Sequence, residues 1–237
     1  MMKTLCVAES FSKDDVHVWM LHLKDKEELL REYCTILSSD EIDRVFRYKS
    51  ESSKKRFILA RIKLREILSR YTGSSPSNLR FSLGAYGKPS LEGCSEIRFS
   101  QANAGDYTLI AVSRNRELGV DLERVVDVDF PAISNRFFSE DEKNALRKLE
   151  VSEKLNAFFR IWTRKEAYVK ALGVGLSYPM QVFSTSPISE NGDSHVYDHS
   201  CTMAKTFWRV MEIGSPEGYR AALVAAGSDW RCIYRQL

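Results

Sequence analysis

The chain has 237 residues, 43% of them hydrophobic, and carries 35 lysines and arginines against 32 aspartates and glutamates, a net charge of +3. That length can bury one large core or two small ones, and so even a balance excludes a nucleic-acid binder argued from charge alone while suiting an acidic protein partner at a local basic patch. The five cysteines (Cys6, Cys34, Cys94, Cys201, Cys232) are odd in number and scattered, with no Cys-x-x-Cys pair, which argues against a disulfide framework or a zinc site and for a reducing cytoplasm.

In chain order, Met1–Ser10 lacks the apolar core of a signal peptide, and no later run approaches the roughly 20 apolar residues of a membrane span. Spacing predicts a strand over Val16–Leu23, then helices over Lys26–Leu37, Ser39–Tyr48 and Ser53–Tyr71. Short strands follow at Leu79–Leu83 and Glu96–Ser100. Next comes an expected hairpin, Tyr107–Val112 and Leu118–Val125, turned at Asn115. Helices fit Ser139–Leu149 and Ser152–Leu172, the second ending at Gly173 as its C-cap. Strands resume at Gln181–Ser184, Thr206–Ile213, Tyr219–Ala225 and Arg231–Tyr234.

The two halves look alike at an offset of about 100 residues. Ser39-Asp-Glu41 echoes Ser139-Glu-Asp-Glu142, Arg65-Glu66 echoes Lys165-Glu166, and Gly73 echoes Gly173. Leu21 and Leu23 stand where the second half has Asp121 and Glu123. The expected fold class is α+β: two similar α/β halves related by a pseudo-twofold, each a small antiparallel sheet packed on helices. The expected division is 1–103 and 104–237.

Within Gly119-Val-Asp-Leu-Glu123, Asp121 and Glu123 project to one side of a strand. In the helix that ends Trp162-Thr-Arg-Lys-Glu-Ala-Tyr-Val-Lys170, the apolar stripe is Leu155, Phe158, Phe159, Trp162 and Val169. Glu166 lies about three turns after Leu155, on the same face. A lone carboxylate there is costly unless paired or bound to metal. Lys165 and Lys170 flank it. Three carboxylates with lysines suit Mg²⁺ holding a phosphate, because Mg²⁺ takes few protein carboxylates and completes its shell from water and substrate. The alternative is a set of surface ion pairs. His195 and His199 have a helical metal-ligand spacing, but Asn191-Gly192-Asp193 before them signals a turn, so they read as strand histidines. No Walker loop, dinucleotide fingerprint or Gly-x-Ser-x-Gly elbow is present.

Gly119-Val-Asp-Leu-Glu123 followed by Trp162-Thr-Arg-Lys-Glu-Ala-Tyr-Val-Lys170 resembles the 4'-phosphopantetheinyl transferases of the longer, surfactin-synthetase-activating type. Tyr86-Gly-Lys-Pro89, Arg136-Phe-Phe-Ser-Glu-Asp-Glu142 and Gly173-Val-Gly-Leu-Ser177 are similar to further segments of that family, in order along the chain. The resemblance implies a pseudo-twofold fold with a cleft between the halves, and an enzyme moving the phosphopantetheine arm of coenzyme A to a serine of an apo acyl- or peptidyl-carrier protein. Fatty-acid, polyketide and nonribosomal-peptide carriers all present that serine. It implies Mg²⁺ on Asp121, Glu123 and Glu166. Glu166 or a metal-bound water would act as base, and Lys170 would stabilise the departing phosphate. Lys165 and Lys88 would grip the pyrophosphate.

Several residues keep two readings. Arg56 is either part of a solvated helix face or a contact to the adenosine end of coenzyme A. Lys88 is either an exposed loop lysine or a phosphate contact. Glu142 completes a capping box with Ser139, although the family sometimes places an acid near its metal there. Lys143, Arg147 and Lys148 offer either an ordinary solvated face or a docking surface for an acidic carrier. Many family members carry a Ser-His pair for the coenzyme's 3'-phosphate where this chain has Ala102-Asn103. Asn103 can donate a hydrogen bond and Ala102 cannot through its side chain. That departure leaves a catalytically weak coenzyme A-binding homologue as an alternative, beside a Mg²⁺-dependent diphosphate hydrolase. Neither membrane nor nucleic acid is an expected partner, and a monomer is the simplest state, since an internal pair of halves builds the cleft.

Overall fold

The computed structural model describes residues 11–23, 27–185, 193–198 and 206–237. The first half runs from strand β1 (Asp15–His22) through helices α1 (Glu27–Ile36), α2 (Ser39–Arg47) and α3 (Glu51–Thr72) to strands β2 (Phe81–Leu83), β3 (Pro89–Leu91), β4 (Ile97–Ala104) and β5 (Tyr107–Arg114). The second runs from β6 (Leu118–Arg124) through helices α4 (Phe130–Phe137), α5 (Glu140–Arg147) and α6 (Val151–Leu172). It ends with β7 (Phe183–Ser184), β8 (Asp193–His195), β9 (Tyr197–Asp198), β10 (Trp208–Glu212), β11 (Tyr219–Ala226) and β12 (Arg231–Tyr234).

Alternating side chains sort these strands into layers. In β1, Trp19 and Leu21 face α3, joining Leu64, Ile67, Leu68 and Tyr71. Val16 and Val18 face the other way, into a core shared with Leu118, Val120 and Leu122 of β6 and Ala221, Leu223 and Ala225 of β11. The opposite face of the second sheet lies against Ala167, Tyr168 and Ala171 of α6. The order of layers is therefore α3, first sheet, second sheet, α6.

The pseudo-twofold is explicit in the topology. The first sheet is ordered β12-β1-β5-β4 and the second β6-β11-β10-β8, so β1-β5-β4 matches β6-β11-β10. Helices α3 and α6 span Glu51–Thr72 and Val151–Leu172, an offset of 100. Each ends on a left-handed glycine, Gly73 at φ 68° and Gly173 at φ 71°. Helices α2 and α5 open with capping boxes, Ser38 with Glu41 and Ser139 with Glu142, so the first cap is Ser38 rather than Ser39.

Four expectations change. The Tyr107–Val112 and Leu118–Val125 strands do not form a hairpin. Strand β5 pairs with β1 and β4, β6 pairs with β11, and at Asn115 (φ 54°) the chain crosses from one sheet to the other. Strand β5 is buried on both faces, because its sheet lies between α3 and the second sheet. By sheet membership the crossing falls at 115–117, with β5 in the first sheet. Strand β4 also continues to Ala104, four residues past its expected end. Helix α4 was not expected: Asp129 caps it by accepting the Ala132 N–H at 3.1 Å, and proline stands in its first turn. Strand β12 adds a further departure, because it lies parallel to β1 and edges the first sheet.

Candidate functional site

Strand β6 and helix α6 meet at Gly119. A Cβ there would lie 2.1 Å from the Ala167 carbonyl oxygen and 2.4 Å from the Ala171 nitrogen, so only glycine permits this approach. Asp121 and Glu123 share Gly119's side of the strand and are directed toward α6. Glu166 and Lys170, one turn apart on α6, meet them.

Lys170 donates to Asp121 Oδ1 at 2.6 Å. The other oxygen, Asp121 Oδ2, is buried without a hydrogen-bond partner. Burial pushes the Asp121 carboxyl upward, against the pull of Lys170 and the Leu122 N–H. Glu123 is raised by burial and by Asp121, and a hydrogen bond from the Trp162 side chain opposes this. Glu166 is pushed up to about 7 by burial first, then by Asp121, with Lys170 opposing and Glu123 adding a little. The three carboxylates thus repel one another around a single ammonium.

Among the described residues, no three His, Cys, Asp or Glu side chains stand converged as a finished metal cage. The donor set nevertheless fits a hard cation: three oxygen-bearing acids share one field, and one buried oxygen is unsatisfied. Mg²⁺ needs only one or two such ligands besides water and phosphate.

The structure divides the remaining candidates. Lys165 is not at the cluster. Its side chain is fully buried, and its ammonium donates to Glu142 Oε2 at 2.6 Å and to the Phe183 carbonyl at 2.7 Å. The expectation that it grips a pyrophosphate is therefore corrected. The cause is helical geometry: neighbouring residues point about 100° apart, so with Glu166 facing β6, Lys165 faces the α5 side. Glu142 accepts in addition from the backbone N–H groups of Ser139 and Thr185, at 3.0 and 2.9 Å. It combines the expected capping box with an ion-pair anchor.

Lys88 lies where β2–β3 meets the end of α6, bonded to Glu117. Arg56 contacts Asp106 at 3.5 Å and so stands at the β4–β5 turn. Asn103 is exposed just before that turn, while Ala102 packs into the core between the sheets. Arg56 and Asn103 thus both stand near the β4–β5 turn. His195 closes strand β8 beside Phe207, and His199 lies outside the described residues.

Trp162 and Glu117 were missed. The periodicity marks Trp162 only as apolar, and its polar N–H leaves no trace in a hydrophobic pattern. Nothing in the sequence distinguishes Glu117 from other surface acids.

The family model described as "4'-phosphopantetheinyl transferase superfamily" matches residues 117–224, which include β6 and α6. The 4'-phosphopantetheinyl transferase HetI of Nostoc sp. is 31% identical over 222 residues, covering 92% of this chain and 90% of that protein. A putative 4'-phosphopantetheinyl transferase of Synechocystis sp. is 36% identical over 63% of this chain and 62% of its own length. The 4'-phosphopantetheinyl transferase Sfp of Bacillus subtilis is 26% identical over 84% of this chain and 86% of its own. Full-length similarity of this extent, joined to the acid cluster on β6 and α6, makes the chain a member of the 4'-phosphopantetheinyl transferase superfamily.

Proposed function

We propose that the Asp121–Glu123–Glu166–Lys170 cluster moves the 4'-phosphopantetheine arm of coenzyme A onto a serine hydroxyl of an apo carrier protein. The serine oxygen forms a bond to the phosphorus that bears the arm. The pyrophosphate bond to the adenosine-side phosphate breaks, and adenosine 3',5'-bisphosphate leaves with that electron pair. The observation that carries this reading is the group of three mutually repelling carboxylates, one with a buried unsatisfied oxygen, beside a partly exposed lysine.

Asp121, Glu123 and Glu166 would hold Mg²⁺, which when bound neutralises charge on the pyrophosphate. Glu166 takes the serine proton, the role of a positioned carboxylate base. Lys170, held at the cluster by Asp121, meets the charge that develops on the leaving phosphate. Arg56 and Asn103 serve the adenosine end. The chain acts as a monomer in the cytoplasm, its two halves supplying both walls of the cleft. Among the described residues no helix is long and apolar enough to cross a membrane.

The test is intact-protein mass spectrometry of an apo carrier incubated with the protein, coenzyme A and Mg²⁺, with EDTA as the control. A gain of one phosphopantetheine arm that EDTA abolishes is the expected result. Coenzyme binding without any gain on acyl- and peptidyl-carriers would replace the transferase with a coenzyme-binding homologue. Release of adenosine bisphosphate with no carrier present would indicate a hydrolase.

A further inference from the structure

Lys88 reaches out of the β2–β3 hairpin of the first half into the second. Its ammonium donates to Glu117 Oε2 at 2.8 Å, to the Ala171 carbonyl at 2.8 Å and to the Leu118 carbonyl at 3.3 Å. Ala171 belongs to the last turn of α6, whose carbonyls have no partner within the helix. Leu118 opens β6. One ammonium therefore ties the end of the helix that carries Glu166 and Lys170 to the start of the strand that carries Asp121 and Glu123. A cation is also favoured at a helix C-terminus by the aligned peptide dipoles.

The stem fits as closely as the charge. A Cβ on Gly173 would meet Lys88 Cδ at 3.0 Å, and Gly173 is the left-handed cap of α6. Glu117 is fixed in turn by Arg98 Nε at 2.8 Å. An ammonium has three donors, and here all three have acceptors.

We propose that Lys88 is a positioning residue: it sets the register of α6 on β6, and so places Glu166 and Lys170 opposite Asp121, without itself holding a coenzyme phosphate. The inference rests on the transferase reading above. Placement errors of about 1 Å at a reacting centre can cost on the order of 10²-fold in rate, so a single tie at the shared end of helix and strand has leverage on turnover.

The experiment measures carrier modification and coenzyme A affinity for wild type, Lys88→Met, Glu117→Ala and the double variant, well below each melting temperature. Methionine keeps the stem against Gly173 and removes the donors. Loss of a charged hydrogen bond predicts kcat lower by about tenfold in Lys88→Met, with the Kd for coenzyme A within about twofold of wild type. Glu117→Ala moves kcat the same way, and the double variant is no slower than Lys88→Met. A phosphate ligand behaves otherwise. Lys88→Met would then weaken coenzyme binding about tenfold at unchanged kcat, and Glu117→Ala, freeing the ammonium, would leave binding equal or tighter. Either result overturns the proposal. Glu117 is substantially exposed, so its variant tests the idea even if Lys88→Met fails to fold. Inactive wild type would instead refute the transferase reading itself.

Discussion

Glu166 ionises at a cost, its carboxyl pushed up to about 7 from an ordinary 4.5, because burial and Asp121 outweigh the nearby Lys170 ammonium. A raised carboxyl stabilises the fold while protonated. That contribution is complete below pH 4.5 and is lost as pH rises through about 7. Glu166→Gln removes the dependence. Metal-free Glu166→Gln should therefore outlast metal-free wild type at pH 8 by on the order of 1–2 kcal/mol and match it near pH 5. Its turnover should fall by about 10²–10⁴-fold. Thermal melts at the two pH values in EDTA, with carrier modification in Mg²⁺, check both halves; equal melting at pH 8 would remove the buried charge from the account. At this scale the sequence was readable where period and chemistry agreed. Asp121 and Glu123 two apart in a strand, and Glu166 four before Lys170 in a helix, converge as their spacing requires. Lys165 was misread because charge type was given more weight than its 100° turn away from Glu166.

At the scale of elements, Gly119 decides how closely α6 lies on β6. Gly119→Ala would drive a methyl into the Ala167 carbonyl, and overpacking of this kind typically costs about 1–3 kcal/mol. The helix can relieve it only by lifting away from the strand. Turnover should therefore fall by more than stability alone accounts for, which chemical denaturation and carrier modification measured on one preparation will show. Helices were legible from periodicity and caps, and α3 and α6 end on the glycines that mark them. Strand pairing was not. The alternation in β5 and β6 says that each is extended, but not that β5 pairs with β1 on one edge and β4 on the other, leaving none for β6. Helix α4 had a signal, Asp129 before Phe-Pro131, that apolar periodicity over eight residues was too short to reinforce.

At the scale of the molecule, the repeat extends to buried charge. Arg65 Nε donates to Glu41 at 2.8 Å where Lys165 donates to Glu142 in the other half. Arg61 also pairs with Glu41. Burial alone would raise the Glu41 carboxyl, but Arg61, the Ser38 N–H and Arg65 together hold it below the usual range. Asp121 and Glu123 of the second half have Leu21 and Leu23 at the offset of 100 in the first. The two sheets share one core, so the halves should unfold together. Trp230, 2% exposed within that core, donates its indole N–H to the Gly227 carbonyl at 3.0 Å. Trp230→Ala should cost about 3–5 kcal/mol and lower the melting temperature by roughly 10 °C. Calorimetry should still show a single transition; two resolved transitions would mean independent halves. The pseudo-twofold was visible in the sequence because helix caps repeat at fixed spacing. The parallel strand β12 was not, because pairing across 216 residues leaves no local pattern.

That last strand has a consequence for biosynthesis. Asp15 of β1 precedes its partner Arg231 by 216 residues, so the outer edge of β1 receives a partner only when Arg231–Tyr234 follows. Through most of synthesis the first sheet carries an open edge of unpaired backbone groups, a surface that other nascent chains can join. A stalled or prematurely ended translation product would keep that edge open for good, so incomplete chains should be the aggregating species in a cell that makes this protein rapidly.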